Sequence, residues 1–298
     1  MTRLALDIGA TKFAAGLVDS DYMLHDVCRV AATGADPWTA CRELLRAVAG
    51  DRTVTAVGIG AAGPVDVPAG VIAPLNLPSW RAGFAIVAHV QALFPEAGVR
   101  LAIDGACLAL AEHRVGGLRG VDNGLALTVS SGVGGGIVAD GRVVAGRTGN
   151  GGHIGHLVVA GDETPCSCGG FGCVEAVASG LSAVRWAREH GWTGTTGVEL
   201  AEAARGGDEV AVAALGRAGT ALGQAVASAA ALLDVDKVVI GGGFAHSGAP
   251  LWDPLRAAVA AHARLGFLDG LTVELSTLTD GATLVGAGVL AAEAVLSR

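Results

Sequence analysis

The hexapeptide Asp7-Ile8-Gly9-Ala10-Thr11-Lys12 ends an apolar run and gathers a carboxylate, a flexible turn, a hydroxyl and an ammonium. Phosphoryl transfer calls for that set: an acid to hold Mg2+, commonly through water, and donors for the phosphate oxygens. Lys12 stands out because the chain has one other lysine, Lys237. A second cluster is Cys166-Ser167-Cys168-Gly169-Gly170-Phe171-Gly172-Cys173, with His156 shortly before it. Three thiolates and an imidazole complete a tetrahedral zinc site with no position left for water, so the ion would fold the loop rather than react. Its effect would be to hold Glu175, just beyond the last cysteine.

Asp104 follows the apolar run 99–103 and precedes a helical pattern that begins near Cys107. A carboxylate at the C-terminal end of a strand faces the crevice where α/β proteins bind ligands. There it could accept the proton of an attacking hydroxyl; capping the following helix is the competing reading. The run 237–240 leads into Gly241, Gly242 and Gly243, where backbone can pack against a phosphate or a flat ring such as adenosine. Gly281 to Gly288 opens a last helix whose small residues suit close packing.

These groups need elements to carry them. Strand-like runs cover 4–8, 13–18, 54–59, 99–103, 125–129, 136–139, 237–240 and 271–275, with helical periodicity over 38–49, 84–93, 107–115, 181–190, 198–205, 209–233 and 254–265. Alternation of the two predicts an α/β class. Residues 4–12 align with 125–133 as strand, Gly/Ser/Thr turn and strand, which suggests a duplicated architecture with a glycine turn in each half. Two unrelated hairpins would look the same.

The composition narrows the partners. A net charge of −8 and a pI near 5.4 argue against nucleic acid or an anionic membrane as partner. Of 298 residues 51% are hydrophobic and 16% charged, too apolar for disorder. Mean hydropathy is +0.53, yet the run 218–233 carries Gly219, Gly223 and Gln224 and falls short of the ~20 apolar residues a membrane span needs. The apolar stretch before Asp7 is too short for a secretory leader, so a cytoplasmic protein is expected. Cys28, Cys41 and Cys107 read as small buried hydrophobes.

Together these residues resemble the ROK family of bacterial sugar kinases and sugar-responsive repressors, within the actin-like, hexokinase-like ATPases. The resemblance runs through DIGATK at 7–12, GIGAAGPVD at 58–66, NLPSWR at 76–81, Asp104, SSGVGGGIVADGRVVAG at 130–146, GHIGH at 152–156, CSCGGFGCVEA at 166–176 and VVIGGG at 238–243. It implies an α/β fold of two actin-like, ribonuclease H-like ATPase domains flanking a cleft. The expected division is a small domain over 1–105, joined by the last helix at about 284–298, and a large one over 106–283 that carries the zinc loop.

By matching position, the resemblance implies that Asp7, Gly9, Thr11 and Lys12 face the ATP phosphates, with Gly132, Gly134 and Gly135 in a second phosphate turn and Gly241 to Gly243 near the nucleotide. Asp104 would deprotonate a sugar 6-hydroxyl. Asn76, Ile103, Asp104, His153, His156 and Glu175 would line the sugar, and His156, Cys166, Cys168 and Cys173 would hold structural Zn2+, with Mg2+ serving catalysis. A homodimer or homotetramer is implied. The family's repressors carry a helix-turn-helix ahead of the DIG motif, for which Asp7 leaves no room, so an ATP-dependent 6-kinase is expected. Polyphosphate as donor stays open.

Two positions depart from the family's kinases. Ile103 stands where Asn is common, and His153 where GHIGH replaces GEIGH. A lost partner for a buried hydroxyl costs ~1–3 kcal/mol, which argues against plain glucose and for an amino sugar such as the 3-amino sugar kanosamine. The competing reading is a sugar-binding or scaffolding protein without turnover.

Overall fold

The computed structural model describes residues 2–9, 11–32, 36–278 and 281–296, with side chains as far as Glu293. Ala10, inside the first candidate turn, lies outside them. In chain order the elements are β1 (Thr2–Ile8), β2 (Lys12–Val18), β3 (Leu24–Ala31), α1 (Pro37–Ala49), β4 (Val54–Ala61), β5 (Val65–Asp66), β6 (Val71–Ile72), α2 (Ile86–Leu93), β7 (Gly98–Ile103), α3 (Asp104–Val115) and β8 (Gly124–Val129). They continue with β9 (Val133–Ala139), β10 (Arg142–Val143), α4 (Val174–Ala178), α5 (Gly180–Glu189), α6 (Gly197–Arg205), α7 (Glu209–Leu233), β11 (Lys237–Gly241), α8 (Ala249–His262), β12 (Thr272–Leu275) and α9 (Ala282–Leu296).

The chain divides into two units, one of residues 1–119, 143–152 and 280–298, the other of 120–142 and 153–279. In the first, a five-stranded sheet runs β3-β2-β1-β4-β7. β1, β4 and β7 are parallel and β2 and β3 antiparallel extensions. Strand residues alternate between two buried faces. Leu4, Leu6, Ile8, Phe13 and Ile59 pack with Leu45 of α1 and Ile86 of α2, while Ala5 and Ala14 pack with Cys107 of α3 and Leu284 and Ala287 of α9. Helix α3, expected in the second unit, therefore belongs with the first. A Cβ on Gly286 would run into the Cys107 carbonyl oxygen, so close packing accounts for the small residues that open α9.

The second unit repeats the plan with a sheet in the order β10-β9-β8-β11-β12. Its core joins Leu125, Leu127 and Ile240 to Leu215, Leu222 and Val226 of α7 and Leu251 and Leu255 of α8. By length and composition α7 could cross a membrane, since it extends back from the run 218–233 to Glu209, but most of it is buried against its neighbours.

Some elements differ from expectation. β3 was not foreseen because Asp26 and Arg29 on an exposed edge strand interrupt the apolar alternation. Its Cys28 is exposed, whereas Cys41 and Cys107 are buried as read. α8 begins at Ala249 rather than Pro254, because Pro250 takes the first-turn position that tolerates proline, and burial of Leu251, Trp252 and Leu255 holds Pro254 inside the helix. α3 begins at Asp104 itself; its N-cap is Ile103, which makes no side-chain capping bond. Asp104 is thus the first helical residue, not the cap.

Candidate functional site

In the first unit, the β1–β2 connection closes tightly, with the Gly9 N–H donating to the Lys12 carbonyl at 3.1 Å. The Ala32 N–H donates to the Thr11 carbonyl at 2.9 Å, so the end of β3 braces the same turn. Thr11 and Lys12 are exposed and Asp7 is half-buried. The register Ile8–Ala61–Ile103 places the C-terminal ends of β1, β4 and β7 level with one another. Asp7 and Asp104 therefore stand at the ends of β1 and β7, on either side of β4, about 10 Å apart as two strand spacings. Asp104 Oδ1 accepts a hydrogen bond from the Gly105 N–H at 2.7 Å.

Burial, and then the negative charge of Asp104, pushes the Asp7 carboxyl up to about 7 against the opposing charges of Lys12 and Arg29. Arg29 escaped the sequence reading because β3 itself did. The native state keeps the Asp7 proton up to about pH 7, whereas the unfolded chain releases it near ~4. The carboxyl therefore costs the native state more as pH rises through that window. In metal-free protein, Asp7→Asn should gain melting temperature over wild type between pH 4 and pH 8. A constant difference across that range would mean that Asp7 titrates normally.

Two expected sugar residues also belong to this unit. Asn76 is exposed in the turn before Trp80, whose ring stacks on Phe84 at 4.3 Å and anchors the segment. Ile103 is 2% exposed in the core shared with α1 and α2, because its side chain leaves the sheet on the face opposite Asp7. It offers almost no surface to a ligand.

In the second unit, the β8–β9 turn is gripped from three sides. The Val133 N–H donates to Glu175 Oε2 at 3.0 Å, the Gly180 N–H donates to the Ser130 carbonyl at 2.8 Å, and Gly155 touches the Val133 carbonyl so closely that a Cβ would collide with it. Of the three glycines expected in this turn only Gly132 is there. Gly134 and Gly135 pair with Thr128 and Leu127 inside β9, since the ladder resumes at Val133. A Cβ on Gly132 would stand 2.6 Å from Glu175 Oε2. Gly132→Ala should therefore push Glu175 off the turn at a cost of about 1–3 kcal/mol, seen as a lower melting temperature that Ser131→Ala does not share.

Glu175 was expected beside a sugar. It also serves as a bracket between α4 and the β8–β9 turn, a role that no sequence motif signals. Gly241 ends β11 and Gly242 turns with φ 93°, where a Cβ would lie 2.5 Å from the Val129 carbonyl. The chain thus crosses the end of β8 there and leaves Gly243 exposed.

Metal-ligating atoms of His156, Cys166, Cys168 and Cys173 all lie within 4.8 Å of one another. Cys166 Sγ is 3.8 Å from His156 Nδ1, and Cys168 Sγ is 3.7 Å from Cys173 Sγ. A tetrahedron with Zn–S bonds of ~2.3 Å has edges of ~3.8 Å, which these two pairs match. Burial and the neighbouring thiols push Cys173 up to about 12, while the Gly170 N–H lowers Cys168. Arg217 of α7 anchors the loop, donating to Asp162 Oδ2 at 2.7 Å, Thr164 Oγ1 at 2.9 Å and the Val177 carbonyl at 3.1 Å. His153 meets the His156 ring edge-on at 4.7 Å, and burial and His156 lower its pKa, which favours neutral imidazole.

The ROK family profile matches residues 3–294. A glucokinase from Thermotoga maritima is 32% identical, covering 98% of both chains. An N-acetylmannosamine kinase from Citrobacter koseri is 32% identical over 81% of this chain and 83% of its own. Among solved structures, a ROK glucokinase from Streptomyces griseus in complex with glucose and AMPPNP superposes with a TM-score of 0.85 at 30% identity, covering 98% of this chain and 100% of its own. The fold is thus that of two actin-like ATPase domains.

Proposed function

We propose that this chain, which belongs to the ROK family and is a sugar kinase, transfers the γ-phosphoryl group of ATP to the 6-hydroxyl of a hexose or amino sugar. The observation that carries this reading is the pair Asp7 and Asp104 at the level ends of β1 and β7 in one sheet, with an exposed glycine turn carrying Thr11 and Lys12 after β1. Asp104 would take the proton of the 6-hydroxyl. Lys12, Thr11 and the N–H groups of the β1–β2 turn would bind the donor's phosphates; within the second unit, Gly132 and Gly241 to Gly243 are the backbone positions suited to a nucleotide. Mg2+ suits Asp7, a half-buried carboxylate already repelled by a second one, and when bound it neutralises charge on the transferring group. Zn2+ suits the four-donor cluster, where it holds the loop that presents Glu175.

The sugar is read from one residue. Neutral His153 can accept a hydrogen bond from an ammonium or a hydroxyl where a carboxylate is usual, whereas Ile103, buried in the core on the face opposite Asp7, carries no part of that choice. His153 favours an amino sugar of the 3-amino-3-deoxyglucose type. The same reading carries a cytoplasmic homodimer or homotetramer. ADP release measured over glucose, mannose, N-acetylmannosamine and 3-amino-3-deoxyglucose tests it. The highest kcat/KM is expected for an amino sugar. Preference for glucose would overturn the choice of sugar, and absence of ADP release with every sugar, accompanied by sugar binding, would make the protein a non-catalytic sugar-binding one.

A further inference from the structure

We propose that Arg29 is a second cation of the donor site and binds a phosphate of the nucleoside triphosphate from the edge strand of the first sheet. The register runs Asp7–Ala14–Arg29 across β1, β2 and β3. Residues paired in this way project from the same face of a sheet, so a carboxylate and a guanidinium flank a single methyl group. That face packs on α9, and a Cβ built at Gly281, just before the helix, stands 3.9 Å from Arg29 Nη2. The guanidinium therefore lies at the start of α9, on the same side of the sheet as Asp7, with Lys12 two positions before Ala14 on that side.

Arg29 is exposed and, among the described residues, makes no hydrogen bond or ion pair. A guanidinium whose task was to neutralise Asp7 would close upon it. This one stays beyond ion-pair distance while its charge is still felt at Asp7. The gap between a metal-holding carboxylate, Lys12 and a planar five-donor fork suits a phosphate, which Arg grips in two places at once. The Ala32 N–H to Thr11 bond ties the end of β3 to the β1–β2 turn, so Arg29 keeps its place relative to the other phosphate donors. In a chain of net charge −8 with two lysines, attraction for a polyanion must be local, and Arg29 doubles the cationic charge supplied by Lys12.

The inference rests on the sugar-kinase reading, and its test separates the two. Binding of ATP and of adenosine to Arg29→Gln and Arg29→Lys is measured by calorimetry without sugar, next to KM values for ATP and for sugar. Arg29→Gln should weaken ATP binding and raise the ATP KM by about 10- to 100-fold, with adenosine affinity, sugar KM and melting temperature unchanged, and Arg29→Lys should recover part of the loss. An unchanged ATP affinity in Arg29→Gln overturns the assignment. So does a loss shared equally by adenosine and sugar, which would make Arg29 structural. A wild-type protein that binds ATP but phosphorylates no sugar would refute the kinase reading and leave the phosphate assignment to stand or fall on the binding data.

Discussion

Asp104→Asn should lower kcat by about 10²- to 10⁴-fold, the span that general-base removal commonly produces, and should leave sugar affinity within a few-fold. Asn matches Asp in shape, and its side-chain oxygen can still accept from the Gly105 N–H, now met at 2.7 Å. The start of α3 should therefore be undisturbed. What disappears is the ability to take a proton. Turnover read by ADP release and sugar binding read by the ligand-induced rise in melting temperature separate the alternatives. Retained turnover would place the base elsewhere, and loss of the sugar-induced shift would make Asp104 a binding group.

Removing the zinc site should produce the second large effect. In small zinc-dependent domains the bound ion supplies about 10–16 kcal/mol at pH 7. In this protein the loop is also pinned by Arg217 on Asp162 and by the bridges Val158–Cys173 and Pro165–Phe171. Damage should therefore stay local. Cys173→Ser is expected to lose bound zinc, to expose the glycines at 169–172 to protease, and to cut kcat/KM by more than about tenfold, since Glu175 reaches the Val133 N–H only from a well-formed α4. Zinc retention should also fall with pH. A Cys173 thiol held up to about 12 without metal must release its proton to bind zinc, so acidification favours the empty site. Metal analysis and limited proteolysis read the first two outcomes. A zinc-free variant with unaltered kinetics would show that the loop and the β8–β9 turn are independent.

What could be read from the chain shares one property, which is that its parts are near one another in sequence. The four candidate metal donors span residues 156–173, and a short segment has few ways to avoid gathering them. DIGATK ends an apolar run, so its placement in a strand–turn–strand unit follows from local pattern alone. The α/β alternation is legible for the same reason, as is the burial of α7, which is apolar around most of its surface. Helix starts were less legible. Asp104 was read as a possible cap, but α3 follows β7 directly, so Ile103 takes the capping position and Asp104 the first helical one.

The sequence by itself pointed to the class of chemistry: an acid with a hydroxyl and an ammonium around one turn, a candidate base at a strand end, and a cluster of candidate metal ligands. Only the tertiary structure decided which residues share a face. The Asp7–Ala14–Arg29 row exists because three strands pair in one register, and a shift of a single residue would turn Arg29 to the opposite side. Ile103 went to the core and Asp7 to the α9 face by the same parity rule, although both end parallel strands of one sheet. Glu175 meets Val133 across 42 residues of chain. Such contacts depend on pairing free energies summed over whole sheets, and no short segment carries that information.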